Sequence, residues 1–304
     1  MTAKPDRTPT PTLALLTATL VYIANVVLSL VTIPEHYIWL WQLIRLIALF
    51  GMPVMLITRE CGDPAKALRL NRVGSPRLYI DAIFAGVVTA LLASYVGALW
   101  SSWLFSVMPA VGGMIGEYQL DSLFTAMLVM AIAPAVCEEL MFRGFLLTAF
   151  EPLGGAAAVA LTGALFALTH GSLLALPAHL ISGLSLSLLA YGTGSVGPAI
   201  AFHLAYNAML TAGGYFAGDG DAQPFGLISP AEARTFIVQA AVLFAVWALL
   251  MRGAMRRGAA SASADAPIRE RQPGVFWAGI ALLLTSQAFV YVLQVWMLLR
   301  MRRG

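Results

Sequence analysis

Charge is almost absent from most of this chain. It holds 18 Lys/Arg and 15 Asp/Glu, and 21 of these 33 fall within residues 1–12, 59–81, 252–271 and 300–303. Only 12 remain for the other 240-odd residues, too few to cover a surface facing water. Charged residues make up 11% of the chain, against roughly 25% in soluble domains. An ordinary soluble enzyme, a disordered protein and a nucleic-acid binder are all excluded. What remains is an all-α polytopic membrane bundle.

A spanning helix needs about 20 mostly apolar residues. Segments at 13–33, 37–58, 79–107, 121–150, 155–171, 178–191, 198–216, 233–251 and 275–299 meet or approach that requirement, giving about eight to nine transmembrane helices. The run that opens at Leu13 is longer than the roughly 7–15 apolar residues of a signal peptide. It is read as a retained span. The expected organisation is an N-terminal disordered stretch over 1–12 and a membrane domain over 13–251. A basic and Ala/Ser-rich cytoplasmic linker over 252–274 and an added C-terminal helix with a basic tail over 275–304 complete it.

The loop 59–77 carries Arg59, Lys66, Arg69, Arg72 and Arg77, and the loop 252–271 carries Arg252, Arg256, Arg257, Arg269 and Arg271. Lys/Arg excess marks the cytoplasmic side. Nine crossings from an inside N-terminus place both loops there, while the tail residues Arg300, Arg302 and Arg303 fall outside, against the rule. Cys61 and Cys137 suggest neither a disulfide framework nor a zinc ribbon. Ser229-Pro230-Ala231-Glu232 reads as a capping box opening the eighth helix, a structural feature only.

Four charged residues stay inside apolar runs: Arg45, Glu138, Glu139 and Arg143. Each costs at least about 2.5–3.5 kcal/mol at membrane depth, so three within six positions need a reason. Glu139 and Arg143 lie four apart on one helix face, in the favourable order for an ion pair. Glu138 points about 100° away and has no obvious local cation, Arg143 being taken by Glu139, which leaves it free for chemistry. Pro134 cannot donate to the Met130 carbonyl, so the helix should kink or loosen beside the acids.

Of the four histidines, His36 sits among Tyr37, Trp39 and Trp41 in an interfacial belt. His179 follows Pro177 in the sixth segment and borders the candidate site at most. His170 ends Phe166-Ala167-Leu168-Thr169-His170. His203 stands one turn before Asn207 on the same face. The fourth and fifth segments form a hairpin about Pro152. Glu138 and His170 lie roughly 21 and 27 Å from that turn, hence at similar depth. The sixth segment, at about 21 Å, is short for a core of about 30 Å, so the seventh should begin below the surface and bring His203 and Asn207 toward the same level.

Glu138-Glu139-x-x-x-Arg143, Phe166-x-x-x-His170 and His203-x-x-x-Asn207, in that order on separate helices, resemble the three motifs of the CPBP family. This is the group of CAAX-processing and bacteriocin-self-immunity (Abi) intramembrane proteases that includes the type II CAAX prenyl endopeptidases. The likeness covers about 121–216, and the flanking spans agree only in hydropathy. It implies an eight-helix core and hydrolysis of a peptide bond in a membrane-associated substrate by a glutamate-activated water. Carried over, Glu138 is the base, His170 orients the water, His203 and Asn207 hold the oxyanion, and Glu139 with Arg143 positions the site. Apart from the resemblance, a carboxylate withdrawn from water makes a stronger base, and donors aimed at an oxyanion act most strongly in a dry site.

The resemblance implies no cofactor. The rival chemistry is zinc held by His170, His203 and Glu138, a hydrolase ligand set, although no His-Glu-x-x-His motif is present. Arg45 either snorkels or pairs within the bundle, or meets a substrate carboxylate. A serine protease finds no support, since Ser172 beside His170 in sequence is not triad geometry. Two functions of other classes stand beside the protease: a non-catalytic immunity or interaction protein of the same fold, and a proton-coupled transporter. The partners expected are a peptide or protein substrate and the bilayer, with no nucleic acid. A multi-pass cell-membrane protein, in a bacterial inner membrane, is the expected setting.

Overall fold

The computed structural model describes residues 9–59, 61–70, 75–114, 122–221, 227–259 and 272–301. Among these, nine main helices follow one another: α1 (Pro11–Ser29), α2 (Glu35–Thr58), α3 (Pro76–Val107), α4 (Leu123–Leu153), α5 (Gly155–Thr169), α6 (Leu176–Thr193), α7 (Val196–Asp221), α8 (Pro230–Ala259) and α9 (Gly274–Met301). The described residues contain no strand. Each apolar segment read from the sequence becomes one of these helices, as an amide chain in lipid must satisfy its own backbone.

Six of them are long and apolar enough to cross a membrane: Pro11–Ser29, Glu35–Thr58, Pro76–Val107, Leu123–Leu153, Pro230–Arg256 and Gly274–Arg300. The expected count of eight to nine is therefore not what length and composition give. Helix α5 is apolar but has 15 residues, about 22 Å. Helices α6 and α7 carry Ser182, Ser185, Ser187 and His203 toward the interior, all buried, which lowers their hydropathy. Helix α6 is also longer than expected, 18 residues instead of about 14, or about 27 Å.

Local chemistry sets the helix ends. Thr10 caps α1, accepting a hydrogen bond from Leu13 N at 3.2 Å, with proline in the first turn. At α8, Ser229 N donates to Glu232 Oε2 at 2.7 Å and Glu232 N donates to Ser229 Oγ at 3.2 Å, the reciprocal capping box. Helix α8 continues through Ala259, so the first residues of the expected linker, including Arg252 and Arg256, are helical. Residues 260–271 and 1–8 of the expected flexible segments lie outside the described residues.

Helix α4 is the most enclosed span and α8 the least. Phe142, Phe145 and Phe150 of α4, Phe166 of α5, Leu186 of α6 and Phe202 of α7 build the core. Helix α7 packs on α3 and α4, α8 lies along α3 and α6, and α9 leans on α1 and α5. Large apolar side chains left exposed, such as Leu20, Phe216, Leu249 and Leu282, are what a lipid-facing surface requires.

Arg69 differs from its expected place in a solvated basic loop. It is 5% exposed and has a positive φ of 53°. Its Nε donates to Thr148 Oγ1 at 2.9 Å, its guanidinium pairs with Glu151, and its carbonyl accepts from Val196 N at 2.9 Å. One residue, through its side chain and its backbone carbonyl, thus ties the α4–α5 turn to the start of α7.

Candidate active site

Helix α4 meets the loss of a donor at Pro134 by changing its winding. It runs as π-helix over Met127–Ile132, as α-helix over Ala133–Glu139, and as π-helix again over Leu140–Leu146. Wider turns of this kind recur at functional sites. They answer the expectation of a loosened helix without breaking it. Glu138, Glu139 and Arg143 are all buried, with Glu139 and Arg143 fully so.

Glu139 is the centre of the charged cluster. Its Oε1 accepts from Arg143 Nη1 at 2.8 Å and lies 2.7 Å from His203 Nδ1. A carboxylate only accepts, so Nδ1 is the nitrogen of His203 that carries a proton. Arg143 spends a second arm on the Gly183 carbonyl, Nη2 to O at 2.8 Å, and lays its guanidinium over the Phe166 ring with Cζ 4.3 Å from the centroid. These contacts meet part of the need of a buried charge; Arg143 Nε and Glu139 Oε2 find no partner among the described residues.

The Gly183 carbonyl is reachable because α5 and α6 cross at glycines. A Cβ on Gly183 would stand 2.8 Å from the Gly163 carbonyl oxygen and 3.0 Å from the Phe166 ring; one on Gly163 would stand 3.1 Å from the Leu184 backbone. Small residues at such crossings let membrane helices approach closely.

His170 sits where α5 ends. Gly171 takes a left-handed φ of 63°, the conformation that stops a helix and that glycine adopts without cost. His170 Nδ1 lies 2.8 Å from the Phe166 carbonyl. A backbone carbonyl only accepts, so Nδ1 bears the proton and Nε2 of the neutral ring keeps a lone pair. That Nε2 is 3.9 Å from Glu138 Oε2, too far for a direct hydrogen bond and a span that one water bridges. Glu138 Oε2 is buried and has no hydrogen-bond partner among the described residues. The His170 side chain keeps 28% of its surface exposed, so this gap has an open edge.

Glu138, Glu139, Arg143, His170 and His203 are thus brought together from α4, α5 and α7. Asn207 is half-buried one turn beyond His203 and makes no hydrogen bond among the described residues. Arg45 donates from Nη2 to Gln42 Oε1 at 2.6 Å, an intrahelical partner on α2. Ser172 Oγ accepts from Ala175 N at 3.2 Å, a turn role. His36 lies against Tyr37, ring centroids 3.9 Å apart and planes tilted by 47°.

Three further contributors stand at the site: His179, read from the sequence only as bordering it, Phe166, read only as a motif position, and Gly183, not read at all. His179 stacks on His170, with centroids 4.0 Å apart and planes at 24°; its position after Pro177, at the start of a helix, was the available signal. Phe166 packs against His170, His203 and Arg143. The Gly183 carbonyl gives no side-chain signal at all. Among the described residues no three His, Cys, Asp or Glu side chains converge as metal ligands. In the set His170, His203 and Glu138, each histidine turns Nδ1 to an acceptor, the Phe166 carbonyl or Glu139, so Nε2 is the nitrogen of each ring that keeps a lone pair.

Residues 120–209 match the family model described as Type II CAAX prenyl endopeptidase Rce1-like. That span runs from just before α4 into α7 and contains every residue of the site. No curated protein and no solved structure matches the chain.

Proposed function

With a core over 120–209 that is Rce1-like, we propose that this membrane protein is an endopeptidase that cleaves a membrane-associated peptide by a glutamate-activated water. One observation carries the reading: a buried carboxylate oxygen without a partner, Glu138 Oε2, faces the lone pair of His170 Nε2 across 3.9 Å. Both groups accept hydrogen bonds. A water between them directs both hydrogens to the protein and keeps an oxygen lone pair for the carbonyl carbon of the scissile bond.

As that C–O bond forms, Glu138 takes the water proton. The carbonyl oxygen becomes an oxyanion, for which His203 and the unengaged amide of Asn207 are the donors. His203 donates from Nε2 only as an imidazolium, and Glu139 at Nδ1 is the counter-charge for that form. Arg143 holds Glu139 in place. Glu138 then returns the proton to the leaving nitrogen and the C–N bond breaks, giving an amine and a carboxylic acid, which passes its proton to the amine so that a carboxylate and an ammonium depart. No step calls for a metal.

Substrate classes in keeping with this site are a CAAX-like prenylated C-terminus, a leader peptide and a C-terminal sorting tail. Full-length protein in detergent, incubated with a fluorogenic peptide of each class and followed by mass spectrometry, tests the proposal. Cleavage of one class by wild type and by no Glu138→Gln sample is expected. Failure of wild type on all three classes, with the site folded, would return the chain to the non-catalytic reading.

A further inference from the structure

The turn that presents His170 is held by a helix more than a hundred residues away in sequence. A helix end leaves carbonyls without intrahelical donors, and in an apolar setting other groups must meet them. At the end of α5, those groups come from α9. The Tyr291 hydroxyl lies 3.2 Å from the Ala167 carbonyl oxygen and 3.4 Å from that of Leu168. Gln294 Nε2 donates to the Gly171 carbonyl at 2.7 Å, and Gln287 Nε2 donates to Thr169 Oγ1 at 3.3 Å.

These contacts bracket His170 on both sides. Gln287, Tyr291 and Gln294 follow one another at intervals of four and three residues, so they form one stripe on α9. Gln287 and Tyr291 are almost wholly buried, at 1% and 7%. Polar groups in an apolar helix are costly unless partnered, and the partners these three find are concentrated on residues 167–171. Just beyond the turn, Trp100 Nε1 of α3 donates to the Leu173 carbonyl at 2.9 Å.

We propose that α9 is a positioning element of the active site, its Gln287–Tyr291–Gln294 stripe fixing the last turn of α5 and with it the His170 ring. The C-terminal helix, outside the matched span, is then part of the machinery and not an appended anchor. The effect on rate rests on the endopeptidase reading; the effect on His170 does not. A stripe that merely glued two helices together would change stability without touching the ring.

The test uses full-length protein carrying Tyr291→Phe with Gln294→Met, both close in shape, and Gln294→Met alone in case the double variant does not fold. Tyr22→Phe is the control, because the tyrosine-to-carbonyl bond it removes joins α1 to α9 at Ser286, 3.2 Å, and not to α5. Two readouts are compared: kcat and KM for a cleaved peptide, and ¹⁵N resonances of the imidazoles, assignable because the chain has four histidines. The stripe variants are expected to lose about tenfold in kcat with KM little changed, and His170 should pass from one tautomer to an averaged pair. Tyr22→Phe should match wild type in both. An unchanged His170 signature in the stripe variants, or an equal loss in Tyr22→Phe, overturns the proposal. A wild-type protein that cleaves nothing defeats the endopeptidase reading, while the ¹⁵N comparison still decides the role of α9.

Discussion

Glu139 Oε1 stands 2.7 Å from His203 Nδ1, joining α4 to α7 through the oxygen that also receives Arg143. The brace and the oxyanion donor are therefore one unit. Glu139 holds a cation on its own helix and an imidazole from another, and neither can be altered alone.

Replacing Glu139 by Gln should reveal that unit. The change leaves a guanidinium at 0% exposure with only the Gly183 carbonyl and the Phe166 face, and breaking such a pair costs about 3–5 kcal/mol. Adding Arg143→Met to Glu139→Gln should restore much of the stability. Activity should stay low in the double variant, because His203 still lacks its counter-charge. Denaturation in detergent beside a peptide assay checks both; a fully active double variant would remove Glu139 from the site.

Glu138→Gln separates base from brace. The amide keeps the shape but cannot take a proton from water, so cleavage should fall by about 10²–10⁴-fold. Its melting temperature should hold or rise, since an unpartnered buried carboxylate is removed. A Glu138→Gln protein that cleaves normally, beside a Glu139→Gln protein that is folded and dead, would reverse the two roles.

Much of this was legible in the sequence because hydropathy and helical spacing are local. The nine apolar segments each became a helix, and Glu139 with Arg143 paired at the expected interval. The contacts that complete the site are not local. His203 reaches Glu139 across 64 positions, and Gly183 contributes a carbonyl that no side-chain pattern announces. Arg69, counted among loop cations, is drawn into the bundle by Thr148 and Glu151, which lie far along the chain. The length of α6 was underestimated at its ends, where Leu176-Pro177 and Gly192-Thr193 read as turn residues but are helical.

Gly183→Ala tests the helix crossing. The new methyl would press on the Gly163 carbonyl and the Phe166 ring, and overpacking of this kind costs about 1–3 kcal/mol. Separation of α5 from α6 also withdraws the carbonyl that accepts from Arg143. Lower thermal stability together with slower cleavage is expected; a stable and fully active alanine variant would show that the crossing has slack.

Exhaustive dialysis against a strong chelator should leave activity intact. Among the described residues no three His, Cys, Asp or Glu side chains converge as metal ligands, and Glu138 with His170 supplies a base and a water position without one. Loss on chelation, restored by zinc alone, would turn His170 and His203 into ligands.

The orientation of the bundle makes the last prediction. With Arg69 withdrawn into the protein, the loop 59–77 still carries Arg59, Lys66, Arg72 and Arg77, and 252–271 carries five arginines. Lys/Arg excess belongs on the cytoplasmic face, so cysteines placed at Ser75 and Ser261 should both react with a membrane-impermeant reagent only from that face. Background is low because the native Cys61 and Cys137 are buried. An odd number of crossings between these two loops would label them from opposite sides. Helix α5 is the short one among the intervening helices, at 15 residues, and is the helix to stop within the bilayer in that event. Labelling of either position from outside would therefore overturn the nine-crossing arrangement, and labelling of only one would make α5 re-entrant, with His170 at its inner tip.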